Sequence, residues 1–133
     1  MLTGGCYCGA VRYEVERPTY HETNCHCSIC RRTSGAPYVA WFTAAHGGFR
    51  WVRGEPTRFA STARAARSFC GICGTQMTFE HRDFPDEIDV TICSLDEPDQ
   101  VTPANHIHVA GRPRWVRPGD GLPEHEDYGA DRD

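Results

Sequence analysis

The chain contains no lysine, so all fourteen of its basic residues are arginine. A mechanism that forms a Schiff base on a lysine amine is therefore excluded. Any carboxylate that a side-chain cation holds tightly is expected to be held by a guanidinium group. No apolar run approaches the ~20 residues that a membrane-spanning helix needs. The net charge is -4, without the basic excess of nucleic-acid-binding proteins. Neither a membrane nor a nucleic acid is expected as a partner.

The chain length of 133 residues is sufficient for one domain with a buried core. Residues 1–5 show neither the basic region nor the apolar core of a signal peptide, so we expect a cytoplasmic protein. In that reducing compartment, clustered cysteines are more often metal ligands than disulfides. The sequence makes no prediction about the oligomeric state.

Short segments with the alternation or composition of β-strands are separated by turn residues. The predicted strands are 10–15, 38–43, 49–52, 75–80, 87–92 and 106–109. Segment 58–68 contains alanines that permit a helix, but its neighbours favour an extended form. We therefore predict one mainly β domain over residues 1–123. The acidic segment 124–133 has nothing to bury and is expected to be a disordered tail.

Seven of the eight cysteines fall into three groups. The two outer groups supply two thiols each and are Cys6/Cys8 and Cys70/Cys73. Two pairs of thiolates complete a tetrahedral zinc site of the closed, structural kind, which is our prediction here. Disulfides are the alternative, although a bond between Cys6 and Cys8 would close a very small, strained ring.

The middle group has an odd number of thiols, namely Cys25, Cys27 and Cys30. In an extended backbone, Cys25 and Cys27 project from one face, and a turn brings Cys30 to the same ion. Three thiolates leave one coordination position for water or substrate, as in catalytic zinc sites. The alternative is a second structural site that is closed by a fourth side chain. The candidates for that ligand are Cys93, His21, His106 and His108.

Four of the remaining candidates have a plain alternative role. His26 projects away from its two neighbouring thiols. It is therefore expected to lie at the surface, or to support the metal ligands from outside, rather than to bind the metal itself. Cys93 stands alone and is expected to be a small buried residue. His106 and His108 would share one strand face, where a solvated or core role is favoured over metal binding.

Arg31 and Arg32 directly follow the third thiol of the middle group. Cations at this place stabilise thiolates and could bind a substrate carboxylate. The alternative is a solvated pair of arginines without a specific partner.

Three motifs resemble those of the glutathione-dependent formaldehyde-activating enzyme family, whose domain is shared with centromere protein V. They are Gly5-Cys6-Tyr7-Cys8-Gly9-Ala10-Val11, Cys25-His26-Cys27-Ser28-Ile29-Cys30-Arg31-Arg32-Thr33-Ser34-Gly35-Ala36 and Phe69-Cys70-Gly71-Ile72-Cys73-Gly74-Thr75. The resemblance continues through Leu95-Asp96 and His106-Ile107-His108-Val109 to Gly121-Leu122-Pro123. It therefore covers nearly the whole chain, in order.

The resemblance implies a single fold of coiled, mostly antiparallel β-sheets organised around zinc-binding loops. It implies a structural zinc at Cys6, Cys8, Cys70 and Cys73, and a second zinc at the three thiols of the middle group. The activity it implies is that of a carbon–sulfur lyase, which reversibly joins formaldehyde and glutathione as S-hydroxymethylglutathione.

We therefore hypothesise a zinc enzyme that acts on the adduct of a glutathione-like thiol with formaldehyde or another small aldehyde. Coordination at the second zinc would hold the thiol as a thiolate. Three exchangeable thiolates hold metal less firmly than four, so we expect this site to be partly occupied in the isolated protein. The alternative is a non-catalytic zinc module for protein interaction, or a metal site that responds to thiols or oxidation.

Overall fold

The structure is a computed structural model that describes residues 1–128. The described chain contains ten strands and one α-helix of a single domain. The strands are β1 (Leu2–Gly5), β2 (Arg12–Val15), β3 (Tyr20–Cys25), β4 (Val39–Ala45), β5 (Phe49–Arg53), β6 (Thr57–Phe59), β7 (Ala65–Phe69), β8 (Gln76–His81), β9 (Glu87–Thr91) and β10 (Asn105–Ile107), and the helix is α1 (Ser28–Ser34). No helix within residues 1–128 has both the length and the apolar character needed to cross a lipid bilayer.

The strands form two sheets. A three-stranded antiparallel sheet has the order β1-β2-β5, and a seven-stranded sheet has the order β10-β3-β4-β9-β8-β7-β6. All strand pairs are antiparallel except β3 with β10, which run parallel. The prediction of a mainly β, mostly antiparallel fold is confirmed.

The main core lies where the two sheets contribute alternate side chains. Tyr13 of β2, Phe42 of β4 and Met77 of β8 are completely buried. The Tyr13 ring stacks on Phe49, and its hydroxyl lies 2.6 Å from the Oγ of Ser94. Because a buried phenol costs free energy without a partner, this hydrogen bond allows the tyrosine to reach the core.

Segment 58–68 contains no helix and is extended at both ends, as the sequence favoured: β6 and β7 pair in it, with Phe59 opposite Arg67, and bends at 61–64 connect them. The strand predicted at 106–109 is wrong at its end, because β10 stops at Ile107. His108 has a left-handed backbone with φ 55°, and a 3₁₀ turn follows over Val109–Gly111. His106 and His108 therefore do not share a strand face.

Segment 124–133 was expected to be a tail, and the structure describes it as far as Tyr128. The backbone N–H of His125 donates to the carbonyl of His106 at 2.8 Å, and Val109 donates to His125 at 3.1 Å. The described part of this segment is therefore hydrogen-bonded to β10. Residues 129–133 lie outside the described part of the chain.

An ion pair fastens the first sheet to the chain that follows β9. Asp96 accepts two hydrogen bonds from the Arg12 guanidinium, at 2.8 and 2.5 Å, and one from the Thr3 hydroxyl at 2.7 Å. The hydrogen bonds from Arg12, and to a smaller extent the one from Thr3, lower the pKa of Asp96 to about 2. The carboxylate is partly exposed, so solvent screening limits what the pair contributes to stability.

We expect Asp96→Asn to lower the free energy of unfolding at pH 7 by about 0.5–1 kcal/mol, the upper part of the range for exposed ion pairs. A lowered folded-state pKa stabilises the native state above the unfolded-state value near 4, and that contribution is lost as the pH falls towards 2. The difference between wild type and variant should therefore shrink between pH 4 and pH 2. Urea unfolding across this range measures it, with the exposed Asp99→Asn as control. An equal difference at pH 7 and pH 2 would contradict this account.

Candidate metal centres

Two loops of similar shape carry the outer cysteine pairs. Gly9 donates its N–H to the carbonyl of Cys6 at 3.2 Å, and Gly74 donates to the carbonyl of Cys70 at 2.8 Å. Both glycines have a left-handed backbone, with φ values of 80° and 83°. Since a side chain disfavours this conformation, glycine permits the tight turn after each cysteine pair.

The four thiols of these loops form one cluster, the four-thiol centre, with all sulfur atoms within 4.8 Å of one another. The sulfur of Cys8 lies 3.6 Å from that of Cys6 and 3.8 Å from that of Cys70. Tetrahedral thiolates at about 2.3 Å from a zinc ion are about 3.8 Å apart, so the donor set fits zinc. These separations are too long for a disulfide, whose sulfurs are about 2.05 Å apart.

Backbone N–H groups point at the sulfur atoms of the four-thiol centre. Val11 donates to the Cys6 sulfur at 3.3 Å, and Ile72 and Cys73 donate to the Cys70 sulfur at 3.4 and 3.5 Å. Hydrogen bonds of this kind favour the ionised thiolate, which is the form that binds metal.

Thr75 connects the two loops of the four-thiol centre. Its Oγ1 accepts the backbone N–H of Tyr7 at 3.0 Å and lies 3.3 Å from the sulfur of Cys73. The hydrogen bonds from Thr75 lower the pKa of the Cys73 thiol to about 5. The loops are therefore held together by more than their sulfur atoms.

The middle group also assembles, and its three sulfur atoms lie within 4.8 Å of one another. We call Cys25, Cys27 and Cys30 the three-thiol centre. Cys25 ends β3 and pairs with Val39 of β4. Cys27 is the N-cap of α1, and its sulfur accepts the backbone N–H of Cys30 at 3.2 Å. The sequence predicted a turn here, and the structure shows that one turn of a short helix brings Cys30 to the other two.

The surroundings of the three-thiol centre are apolar. Cys25 and Cys30 are buried against Trp41, with Phe79 and Ile107 packed on the same cluster. Interactions with its two adjacent thiols, and then burial, raise the pKa of Cys25, whereas hydrogen bonds from its neighbours lower the pKa of Cys27. Three adjacent thiols cannot all ionise without a cation, so this donor set suits a bound metal.

None of the four predicted closing ligands joins the three-thiol centre within residues 1–128. His21 lies against the ring of Tyr20, and His108 lies against Tyr128. Cys93 is exposed on the 3₁₀ turn Ile92–Ser94, so the prediction of a buried residue is wrong, because the strand ends at Thr91 and the chain turns outward.

His106 and His26 form a buried chain of hydrogen bonds behind the three-thiol centre. Both rings are completely buried, so a surface role for His26 is wrong. Nε2 of His26 lies 2.8 Å from Nδ1 of His106, and Nε2 of His106 lies 2.8 Å from Asp120. The His26 ring stacks on Tyr38. Burial lowers the pKa of His26 to about 4, so the ring is neutral at pH 7. The imidazole supports the Cys25–Cys27 segment from its opposite face.

Arg31 and Arg32 lie in the last turn of α1. Arg31 donates to the carbonyl of Gly111 at 3.4 Å and is half-buried, whereas Arg32 is exposed. In the described structure, the arginine that reaches a thiol of this centre is Arg67, whose guanidinium lies 3.9 Å from the sulfur of Cys30. Arg67 could not be identified from the sequence, because only the folding of the seven-stranded sheet brings it near a cysteine 37 positions away.

A cleft of about 410 Å³ lies between the end of α1, the loop of Gly74 and the 3₁₀ turn of Cys93. Its polar wall includes Thr33, Ser34, Tyr38, Thr75, Gln76 and Thr91. Thr33 accepts a hydrogen bond from Arg67, and Tyr38 stacks on His26. The cleft therefore borders residues that support the three-thiol centre, although the three cysteines are not among its described lining residues.

The chain is similar to proteins already known. It is 29% identical over 126 residues to a protein of Halomonas elongata, which is provisionally named a glutathione-dependent formaldehyde-activating enzyme, with 87% of this chain and 80% of that protein covered. The crystal structure of a Rhodobacter sphaeroides protein superimposes with a TM-score of 0.63 at 28% identity, covering 92% of this chain and 98% of the other. The model of the family described as glutathione-dependent formaldehyde-activating enzyme matches residues 1–111. The resemblance read from the cysteine motifs is thus confirmed, and the chain belongs to the glutathione-dependent formaldehyde-activating enzyme family.

Proposed function

We propose that the protein is a zinc-dependent carbon–sulfur lyase-type enzyme that reversibly joins a glutathione-like thiol to formaldehyde or another small aldehyde. The observation that carries the proposal is the difference between its two thiol clusters. One contains four thiols, and the other, within the described residues, contains three. The first suits a structural ion, and the second suits an ion with a position left for substrate. A reducing cytoplasm, which keeps such thiols free, is the compartment that fits both.

The reaction needs no oxidant or reductant. The thiol sulfur forms a bond to the carbonyl carbon, the carbon–oxygen double bond becomes single, and the proton of the thiol ends on the new hydroxyl. A zinc ion, when bound, supplies a lowered pKa for the substrate thiol, so the nucleophile is present at neutral pH. Holding both reactants in one place contributes the remaining rate enhancement.

The residues of the chain have separate tasks in this proposal. Cys25, Cys27 and Cys30 hold the ion, and the apolar side chains of Trp41 and Phe79 limit the access of water. The cleft beside α1, with its polar and apolar walls, accommodates the rest of the thiol substrate. Arg31 and Arg32 are proposed contacts for its carboxylates, because they lie in the last turn of α1, next to Thr33 and Ser34 of the cleft wall.

The test replaces zinc with cobalt, whose absorption reports its ligands. We expect two metal ions per chain at saturation, and a change in the thiolate-to-cobalt absorption when glutathione is added. We also expect the protein to accelerate the formation of S-hydroxymethylglutathione above the spontaneous rate, measured without protein. An unchanged spectrum at saturating glutathione, together with the spontaneous rate, would refute the proposal and favour a non-catalytic zinc module.

A further inference from the structure

Arg67 is a buried cation with an unusual environment. It lies in the middle of β7 with 6% of its surface exposed. One terminal nitrogen lies 3.9 Å from the sulfur of Cys30, and the other donates to Thr33 Oγ1 at 3.4 Å. The guanidinium carbon lies 5.9 Å from the ring centre of Trp41 and 5.0 Å from that of Phe79.

No carboxylate among residues 1–128 forms an ion pair with Arg67, although other arginines of the chain do. Its Nε is buried and has no hydrogen-bond partner in the described structure. Burying a charge is costly unless an opposite charge compensates it. Of the groups described in contact with the guanidinium, the thiol of Cys30 is the one that can ionise, so the three-thiol centre is the candidate counter-charge of Arg67.

The two thiol clusters share backbone donors and differ in a side-chain donor. Backbone N–H groups, among them those of Val11, Ile72 and Cys73, donate to the sulfurs of the four-thiol centre. In the three-thiol centre, the backbone groups of Cys30 and Ile29 donate to the Cys27 sulfur, and the side chain of Arg67 approaches the Cys30 sulfur. A backbone N–H group carries only a partial positive charge, whereas a guanidinium places a full positive charge beside one ligand. The second centre is therefore built to tolerate one more negative charge.

Three thiolates on a divalent ion carry a net charge of about −1, and the positive charge of Arg67 brings the sum to about zero. A further thiolate at the fourth position would then leave about −1 in the apolar cluster. Without Arg67, the same ligand would leave about −2, which desolvation strongly disfavours. A neutral fourth ligand adds no charge, so its affinity would not depend on the charge of Arg67.

We propose that Arg67 is a positioning residue that acts through Cys30 and makes the open coordination position of the three-thiol centre accept an anionic thiolate. This inference rests on the proposed function, since it concerns the fourth ligand of the same ion. The inference predicts a selectivity in binding, in which Arg67 favours an anionic ligand over a neutral one at that position.

The experiment uses the full-length protein loaded with cobalt at both centres. Wild type, Arg67→Met and Arg67→Lys are each titrated with 2-mercaptoethanol and, separately, with imidazole, which binds as a neutral ligand. We expect Arg67→Met to bind 2-mercaptoethanol at least about tenfold more weakly, as is typical for the loss of a partner of metal ligands. Imidazole affinity should change less than threefold. Arg67→Lys should recover most of the loss, because it keeps the charge. Arg64→Met removes a charge that pairs with Asp83 at the surface, and it should behave as wild type.

Equal losses for 2-mercaptoethanol and imidazole, no loss for either, or a failure of Arg67→Lys to recover thiol binding would overturn the inference. Loss of cobalt from both centres would show that Arg67 has only a folding role and would overturn it as well. If the wild type itself shows no response to the thiol, the proposed function fails. If wild type responds and Arg67→Met responds equally, only the role of Arg67 fails.

Discussion

Cys70→Ser is expected to destabilise the protein by about 4 kcal/mol or more, the range associated with the loss of a structural metal site. The Cys70 side chain is 1% exposed and belongs to the main core. Two backbone N–H groups point at its sulfur, and Cys8, 62 positions earlier, lies 3.8 Å from it. An ion held by these thiols would therefore join the β1–β2 loop of one sheet to the β7–β8 loop of the other.

Thermal unfolding and metal content per chain measure this effect together. We expect Cys70→Ser to bind one metal ion fewer and to unfold at a much lower temperature. Cys93→Ser is the matched control, because this thiol is exposed and belongs to neither cluster; its stability and metal content should equal those of wild type. A Cys70→Ser protein with unchanged metal content would show that the four-thiol centre does not hold metal.

The second large effect is expected for Cys27→Ser, which should lower kcat/KM at least about 100-fold, because changes in groups outside the ligand shell already cost 10–100-fold. Cys27 is both a predicted ligand and the N-cap of α1, whose sulfur accepts the N–H of Cys30. Serine is among the best N-cap residues, so this substitution removes the ligand and preserves the cap. The free energy of unfolding should change by less than about 1 kcal/mol.

Cys27→Ala separates the two roles of the residue. It loses ligand and cap together, so its activity should match that of Cys27→Ser, while its stability should be lower by about 1 kcal/mol. Initial rates of adduct formation, corrected for the spontaneous reaction, and urea unfolding provide the two measurements. Wild-type activity in either variant would remove the three-thiol centre from the proposed chemistry.

The sequence was informative about the metal centres because their ligands are grouped locally. Cys25, Cys27 and Cys30 lie within six positions, so one turn of backbone suffices to join them. Alternation likewise revealed strands such as β9, where Ile88 and Val90 are buried. Helix α1 was missed because seven residues carry too little periodicity to distinguish a helix from a turn.

Other parts of the site depend on contacts between distant segments. Arg67 reaches Cys30 only through the folding of the seven-stranded sheet, in which β7 pairs with β8, and no local pattern encodes that register. His106 meets His26 because β10 runs parallel to β3, a pairing that joins residues 80 positions apart. The end of β10 was misplaced because His108 adopts a left-handed backbone that its residue type does not demand.

The positions of the two thiol clusters along the chain have a consequence for biosynthesis. Every ligand of the three-thiol centre has been synthesised once residue 30 is translated, whereas the four-thiol centre is incomplete until Cys73. A nascent chain can therefore offer the three thiols of this centre to an ion before either sheet is complete. The later approach of Cys70 and Cys73 to Cys6 and Cys8 then encloses that segment in a loop of the finished protein.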